Sequence, residues 1–225
     1  VCGRYVRVSP ADELARAFRE LALVEVGTDL PRPSYNIAPT QEALAILNDG
    51  RGARMAPLRW GWQERTRGGQ PRQIINARSE SLDGASWTFG WSVQNARCLV
   101  PANGYYEWKA LAGSKQPWYF TSKSQAAFCF AGLYRDDSFV ILTGPPGDER
   151  TRRVHERVPC IIPAEHCGRW IDPGFSPEAA LTVPRAFGSA VLDLACWPVS
   201  KSVGSVARDS SDLLAAAPED RTLFG

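Results

Sequence analysis

From Ala43 to Thr143 the sequence is a succession of short β-branched and aromatic runs, each soon cut off by turn residues. Ala43–Leu47 reads as a buried strand, Asn48-Asp49-Gly50 as a turn, and Met55–Trp62 as a second strand. Cys98–Pro101 follows, then a turn at Asn103-Gly104 and the aromatic strand Tyr105–Lys109. Trp118–Phe120, Ala127–Leu133 and Phe139–Thr143 are further strands, and Thr143-Gly144-Pro145-Pro146-Gly147 closes the run. Val191–Val199 is a last strand, followed by a polar loop at 200–205. Helix signals are few. Ser9-Pro10-Ala11-Asp12 predicts a helix capped by Ser9, with Leu14, Phe18, Leu21 and Ala22 on one face. Pro163 and Ser176-Pro177 each predict a short helix, and 148–154 a short charged helix or loop. Such a pattern, without internal repeat or linker, predicts an α+β single domain on a largely antiparallel sheet or barrel-like core with a few short helices.

Several function classes are excluded. Apolar content of 44% and charged content of 22% are those of a soluble globular protein. No run approaches the roughly 18 apolar residues of a membrane span, and no secretory signal is visible. None of the six cysteines forms a CxxC pair, so they read as mostly buried free thiols in a reducing compartment, the cytoplasm. Cys160, His166 and Cys167 lie close together, but their spacing fits no common zinc site, so no metal is expected. No GxSxG, P-loop, GxGxxG or HExxH occurs, so no nucleotide or other cofactor is expected. A net charge of +2 does not by itself prove a nucleic-acid partner. Arginine outnumbers lysine, which suits bidentate phosphate recognition or equally a GC-rich genome. The Arg- and Gly-rich stretch 65–72 reads as a mobile exposed loop or a basic loop that contacts a nucleic-acid backbone.

The chemistry-bearing residues are scattered. Cys2 stands beside the start of the chain. If residue 1 is removed, Cys2 carries an α-amine of pKa about 7.7–8.0 next to a thiol of pKa about 8.5, lowered further by a neighbouring cation such as Arg4. A 1,2-aminothiol traps aldehydes: the amine forms a Schiff base and the thiol closes a five-membered ring. The plainer reading is a small apolar residue at a frayed terminus. In a strand, Glu107 shares a face with Tyr105 and Lys109, and a carboxylate among aromatics has its pKa raised toward acid–base work. Its plainer reading is an edge-strand carboxylate paired with Lys109. His155 lies in a charged segment ahead of Val158-Pro159-Cys160 and is suited to proton transfer, or is a surface histidine. His166 reads as structural. Asn76 and Arg78, two apart, face one way in an extended segment, where an amide orients and a guanidinium clamps phosphate. Read plainly, they are a turn asparagine and a solvated arginine.

Together these residues fall into a set of short motifs. They are Cys2-Gly3-Arg4, Tyr35-Asn36-Ile37-Ala38-Pro39, Arg59-Trp60-Gly61, Ile75-Asn76-Ala77-Arg78-Ser79-Glu80, Arg97-Cys98-Leu99-Val100-Pro101, Gly104-Tyr105-Tyr106-Glu107-Trp108-Lys109, His155-Glu156-Arg157-Val158-Pro159 and Pro198-Val199-Ser200. Their order resembles that of the SRAP family, SOS-response-associated proteins that shield abasic sites in single-stranded DNA. The resemblance runs from residue 2 to about 205 and implies an SRAP domain over 2–205, with 206–225 a loosely ordered C-terminal tail. It implies that Cys2 supplies amine and thiol, Glu107 shuttles protons, His155 helps open the deoxyribose ring or reverse the cross-link, and Asn76 orients the terminus. It implies DNA contacts by Arg4, Arg78 and Arg157, with Asn36 and Thr143 lining the path of the strand. Peptidase-like removal of residue 1 and abasic-site lyase activity also come with the family. So do a bacterial, nucleoid-associated setting during DNA damage and a monomeric state.

Two departures stand out. Residue 1 is valine where the family begins with the initiator methionine, as a GTG start codon would write it, and the aminothiol requires its removal. Bacterial relatives carry tryptophans near 65–72 where this chain has arginine and glycine, so DNA binding is expected to rest more on charge than on stacking. The leading function is covalent capture of abasic sites through a thiazolidine at Cys2. Two alternatives remain open: a cysteine peptidase or N-terminal-nucleophile amidohydrolase using Cys2 and His155, and a non-catalytic single-strand-binding module.

Overall fold

Strand formation follows the β-branched and aromatic runs. The computed structural model describes residues 2–27, 29–66, 68–82, 88–124, 126–187 and 193–219. In chain order its first strands are β1 (Arg4–Arg7), β2 (Glu25–Val26), β3 (Ser34–Ile37), β4 (Glu42–Asn48), β5 (Ala53–Trp60), β6 (Trp62–Arg65), β7 (Pro71–Ile74) and β8 (Asn76–Arg78). They are followed by β9 (Arg97–Ala102), β10 (Gly104–Leu111), β11 (Ser114–Ser122), β12 (Phe128–Arg135), β13 (Ser138–Gly144), β14 (Val158–Pro159), β15 (Ile161–Ile162) and β16 (Leu194–Pro198). The helices are α1 (Ala11–Ala17), α2 (Gly90–Asn95), α3 (Glu149–Arg152), α4 (Ala164–Ile171) and α5 (Pro177–Phe187). No helix among the described residues is long and apolar enough to cross a membrane.

Five strands close on themselves. β13, β12, β9, β4 and β5 pair antiparallel in that order, and β5 returns to β13 in parallel through Ser138↔Arg59 and Phe139↔Trp60. The barrel-like core expected from the sequence is this ring. Alternate side chains serve opposite faces. Ala43, Ala45, Leu47, Phe128, Phe130, Phe139 and Ile141 form one cluster, with Cys2, Tyr5, Tyr105 and Phe120 packed among them. Leu44, Ile46, Cys129, Ala131, Leu133, Val140 and Leu142 form the other, with Leu14, Trp170, Ala180 and Leu181 of the helices against them. Both faces are buried, which is why these strands read as continuous apolar runs. Gly61, at φ +113°, turns β5 into β6 and donates its N–H to Phe139 O, a backbone shape that favours glycine.

The second sheet, β16-β11-β10-β1-β3, carries the N-terminal strand in its interior. Gly104 lets it close up: a Cβ there would lie 2.3 Å from Tyr119 Oη. Its far face packs Val6, Tyr106, Tyr119, Val199, Val203 and Leu213.

Three expectations are corrected. Ser9 does not cap α1; its hydroxyl accepts from Asn103 Nδ2 at 2.9 Å, and Pro10 precedes the first turn without a side-chain cap. The stretch 65–72 is not all loop, because β6 and β7 pair as a hairpin from Trp62↔Ile74 to Arg65↔Pro71. Residues 206–219 are not a loose tail: Leu213 is fully buried, Trp197 Nε1 donates to Leu214 O, and Val199 bridges to Ala216. Residues 220–225 lie outside the described residues. So do 191–192 at the start of the expected last strand, which is seen as β16.

Candidate functional site

Register along one strand pair brings the chain start to Glu107. β1 runs antiparallel to β10 with Arg4 opposite Tyr106 and Tyr5 opposite Tyr105, so the residues before Arg4 run toward Glu107. Cys2 is fully buried, and its main-chain N–H donates to Glu107 Oε1 at 2.5 Å. From the other side, Asn76 Nδ2 donates to Cys2 O at 3.3 Å. Asn76 is positioned by β8, which lies parallel to β13 with Asn76 opposite Ile141. A carboxylate and an amide thus hold the two main-chain polar atoms of Cys2.

Burial sets the protonation states here. Glu107 is only 1% exposed, and burial raises its pKa above the usual carboxylate range, with nearby His155 pulling the other way. It does not pair with Lys109, whose ammonium meets Glu219 at 2.5 Å. The Cys2 thiol is pushed well above its usual value by burial and then by the charge of Glu107. The expected lowering by Arg4 is corrected. That guanidinium turns away, donating to Gly3 O and Gly204 O, each at 3.1 Å. Two phenols flank the thiol, Tyr5 and Tyr105, both raised by burial and both with hydroxyls that lack a hydrogen-bond partner among the described residues.

His155 follows α3, whose first turn is capped by Asp148 accepting from Thr151 N at 2.9 Å. Arg157 N donates to His155 Nδ1 at 3.1 Å. The same Nδ1 lies 3.0 Å from Arg157 O, to which it donates in the other tautomer. Arg157 grips Glu80 through both terminal nitrogens, at 2.7 and 3.0 Å, and donates to Thr143 O at 2.8 Å. That pairing holds the Glu80 carboxyl down at about 2. Arg78 is exposed at the end of β8, paired with Thr143 along the backbone, and its guanidinium has no hydrogen bond or ion pair among the described residues.

Two of the expected path-lining residues are buried instead. Asn36 is 2% exposed and its amide donates to Val203 O, Ser205 O and Arg208 O, tying down the C-terminal segment. Thr143 is 1% exposed; its hydroxyl donates to Ala77 O and accepts from Arg157. Glu80 stands in the Ile75–Glu80 motif, yet the sequence gives it no partner. Its partner lies 77 residues away, and nothing local signals the pair.

The family model described as SOS response associated peptidase (SRAP) matches residues 1–206. The abasic site processing protein YoaM of Bacillus subtilis is 32% identical, over 96% of this chain and 98% of its own. YedK of Escherichia coli, also called an abasic site processing protein, is 26% identical over 95% and 99%. Among solved structures, a phage-related protein from Bordetella bronchiseptica superposes with a TM-score of 0.72 at 29% identity, over 89% of this chain and 95% of that one. A Bacteroides thetaiotaomicron protein shares the fold at a TM-score of 0.74 and 17% identity, over 96% and 100%. With matched sequence along nearly its whole length and the same fold, the chain belongs to the SOS response associated peptidase family.

Proposed function

We propose that this protein processes abasic sites in single-stranded DNA by linking them covalently to Cys2. The observation that carries the reading is the grip on Cys2, with Glu107 Oε1 2.5 Å from its nitrogen and Asn76 on its carbonyl. Once residue 1 has left, that nitrogen is the α-amine. It adds to the aldehyde carbon of the ring-opened sugar, and loss of one water gives a Schiff base. The Cys2 sulfur then bonds to the same carbon while its proton passes to the nitrogen, closing a thiazolidine. A bare imine hydrolyses readily; the ring removes the C=N bond from attack by water.

Each step needs a proton moved at the Cys2 nitrogen or sulfur. Glu107, buried and with a raised pKa, is placed to accept and return it. A neutral thiol suits this order, since the amine reacts first and the sulfur gives up its proton only on ring closure. The same carboxyl touches the leaving nitrogen of the bond between residues 1 and 2, where hydrolysis must deliver a proton. His155 is assigned to opening or reversal at the sugar, and Arg4, Arg78 and Arg157 to phosphates. Asn36 and Thr143 are assigned to holding the surrounding loops and Arg157.

The raised thiol counts against a Cys2–His155 peptidase that works through a standing thiolate. The test is a denaturing gel of mature protein incubated with an oligonucleotide carrying one abasic site. A heat-stable shifted band that disappears in Cys2→Ala is expected. No adduct from protein whose terminus is confirmed as Cys2 would overturn the reading.

A further inference from the structure

We propose that Lys109 and Trp118 form a phosphate subsite one nucleotide from the lesion, and that the Glu219 carboxylate occupies it until DNA displaces it. The placement rests on the reading above, in which Glu107 marks the position of the abasic sugar. Lys109 lies two residues beyond Glu107 on β10, on the same face, about 6.6–6.8 Å along the strand. That step is comparable to the spacing of successive phosphates in an extended single strand. Trp118 stands directly opposite Glu107 on β11, so its side chain shares that face. The Lys109 ammonium sits 5.5 Å from the centre of the Trp118 ring.

Two features point to an anion other than the one seen. The Lys109–Glu219 pair is partly exposed, 30% and 43%, and such pairs hold weakly. The Trp118 Nε1–H is buried and has no hydrogen-bond partner among the described residues. Glu219 satisfies the lysine and leaves the indole donor unmet. A phosphodiester brings two non-bridging oxygens and serves both once withdrawal of Glu219 uncovers the indole N–H. Glu219 also lies beyond residues 1–206, the part matched by the family model, at the end of a segment tied to the same sheet through Asn36, Leu213 and Trp197. The segment therefore acts as a built-in competitor for one backbone contact.

The experiment measures binding of an undamaged single-stranded oligonucleotide across a salt series. It compares wild type, Glu219→Gln, Lys109→Met, the double variant, and Trp118→Phe in the Glu219→Gln background. Glu219→Gln is expected to bind about threefold tighter at low salt. Its plot of log K against log salt should be steeper by about 0.7, because Lys109 then meets its phosphate without freeing a carboxylate that must take up a cation again. Lys109→Met should erase the gain, and Trp118→Phe should reduce it while keeping the ring. Unchanged affinity in Glu219→Gln, a gain that survives Lys109→Met, or a gain indifferent to Trp118→Phe would overturn the proposal. Adduct yield on an abasic oligonucleotide is read in parallel. Normal adduct without the binding gain removes the subsite alone, and a binding gain without adduct removes the covalent function alone.

Discussion

A single carboxylate carries most of the chemistry proposed for this site, and its burial has two separable consequences. Glu107→Gln keeps the shape and an acceptor for the Cys2 N–H but cannot carry a proton. Adduct formation should slow by about 10²-fold or more in single-turnover gels, the usual range for a lost general acid–base, while affinity for undamaged strands stays as it was. An equal loss of binding would mean that Glu107 holds DNA rather than moves protons. The second consequence is in stability. Burial raises the folded pKa of Glu107, so the folded state binds more protons than the unfolded state as pH climbs past about 4.3. Stability is then lost as pH rises through that window. Glu107→Gln has no such loss, so it should melt at or above wild type at pH 7 and match it below pH 4. A variant that melts lower at neutral pH would show that the charged carboxylate stabilises the fold. The aromatic neighbours made the burial of Glu107 legible in the sequence. Its contact with Cys2, across 105 residues, was not legible, because only the β1–β10 register creates it.

At the scale of elements, the strands were legible wherever both faces are buried, because such strands need apolar residues at every position. β4, β9, β12 and β13 are of this kind. Helices opened by proline were also visible, since Pro163 immediately precedes α4 and Pro177 is the first residue of α5. Polar segments misled in both directions. Ser9 has the residue type of a cap but is claimed by Asn103, and the alanine- and aspartate-rich C-terminal segment looked loose although it carries a buried leucine. Leu213→Ala tests that segment. Truncating a fully buried leucine costs about 2–5 kcal/mol, read for a chain of this size as roughly 2–4 °C of Tm per kcal/mol. Asn36→Leu should also lower Tm, because three carbonyls lose their shared donor. If neither variant shifts the thermal midpoint, the segment contributes nothing to stability.

On the scale of the whole molecule, the proposed function divides the work of holding DNA between electrostatics and covalent chemistry. The parallel closure of β5 on β13 was invisible in the sequence, since neither strand marks its partner, yet it places β8, with Asn76 and Arg78, beside the chain start. That frame presents few cations to a backbone. The net charge is only +2, Arg157 already spends its fork on Glu80, and Arg4 shares its guanidinium with two carbonyls. With Arg4, Arg78 and Arg157 each meeting one phosphate, the salt slope for single-stranded DNA should be near −2, from about −0.7 per contact. Affinity should then fall roughly 20-fold between 50 and 200 mM salt, by the same relation. Under the proposed function, reversible binding of that kind would let the protein sample strands and leave undamaged ones. Permanence would come from the bond at Cys2, which salt does not screen. The check is to measure both under one salt series: non-covalent affinity should fall along this shallow line, while an adduct once formed survives high salt. A slope of −5 or steeper would mean that a broad basic surface, including the arginines of the β6–β7 hairpin, dominates recognition, and that the covalent step only adds to a grip already made.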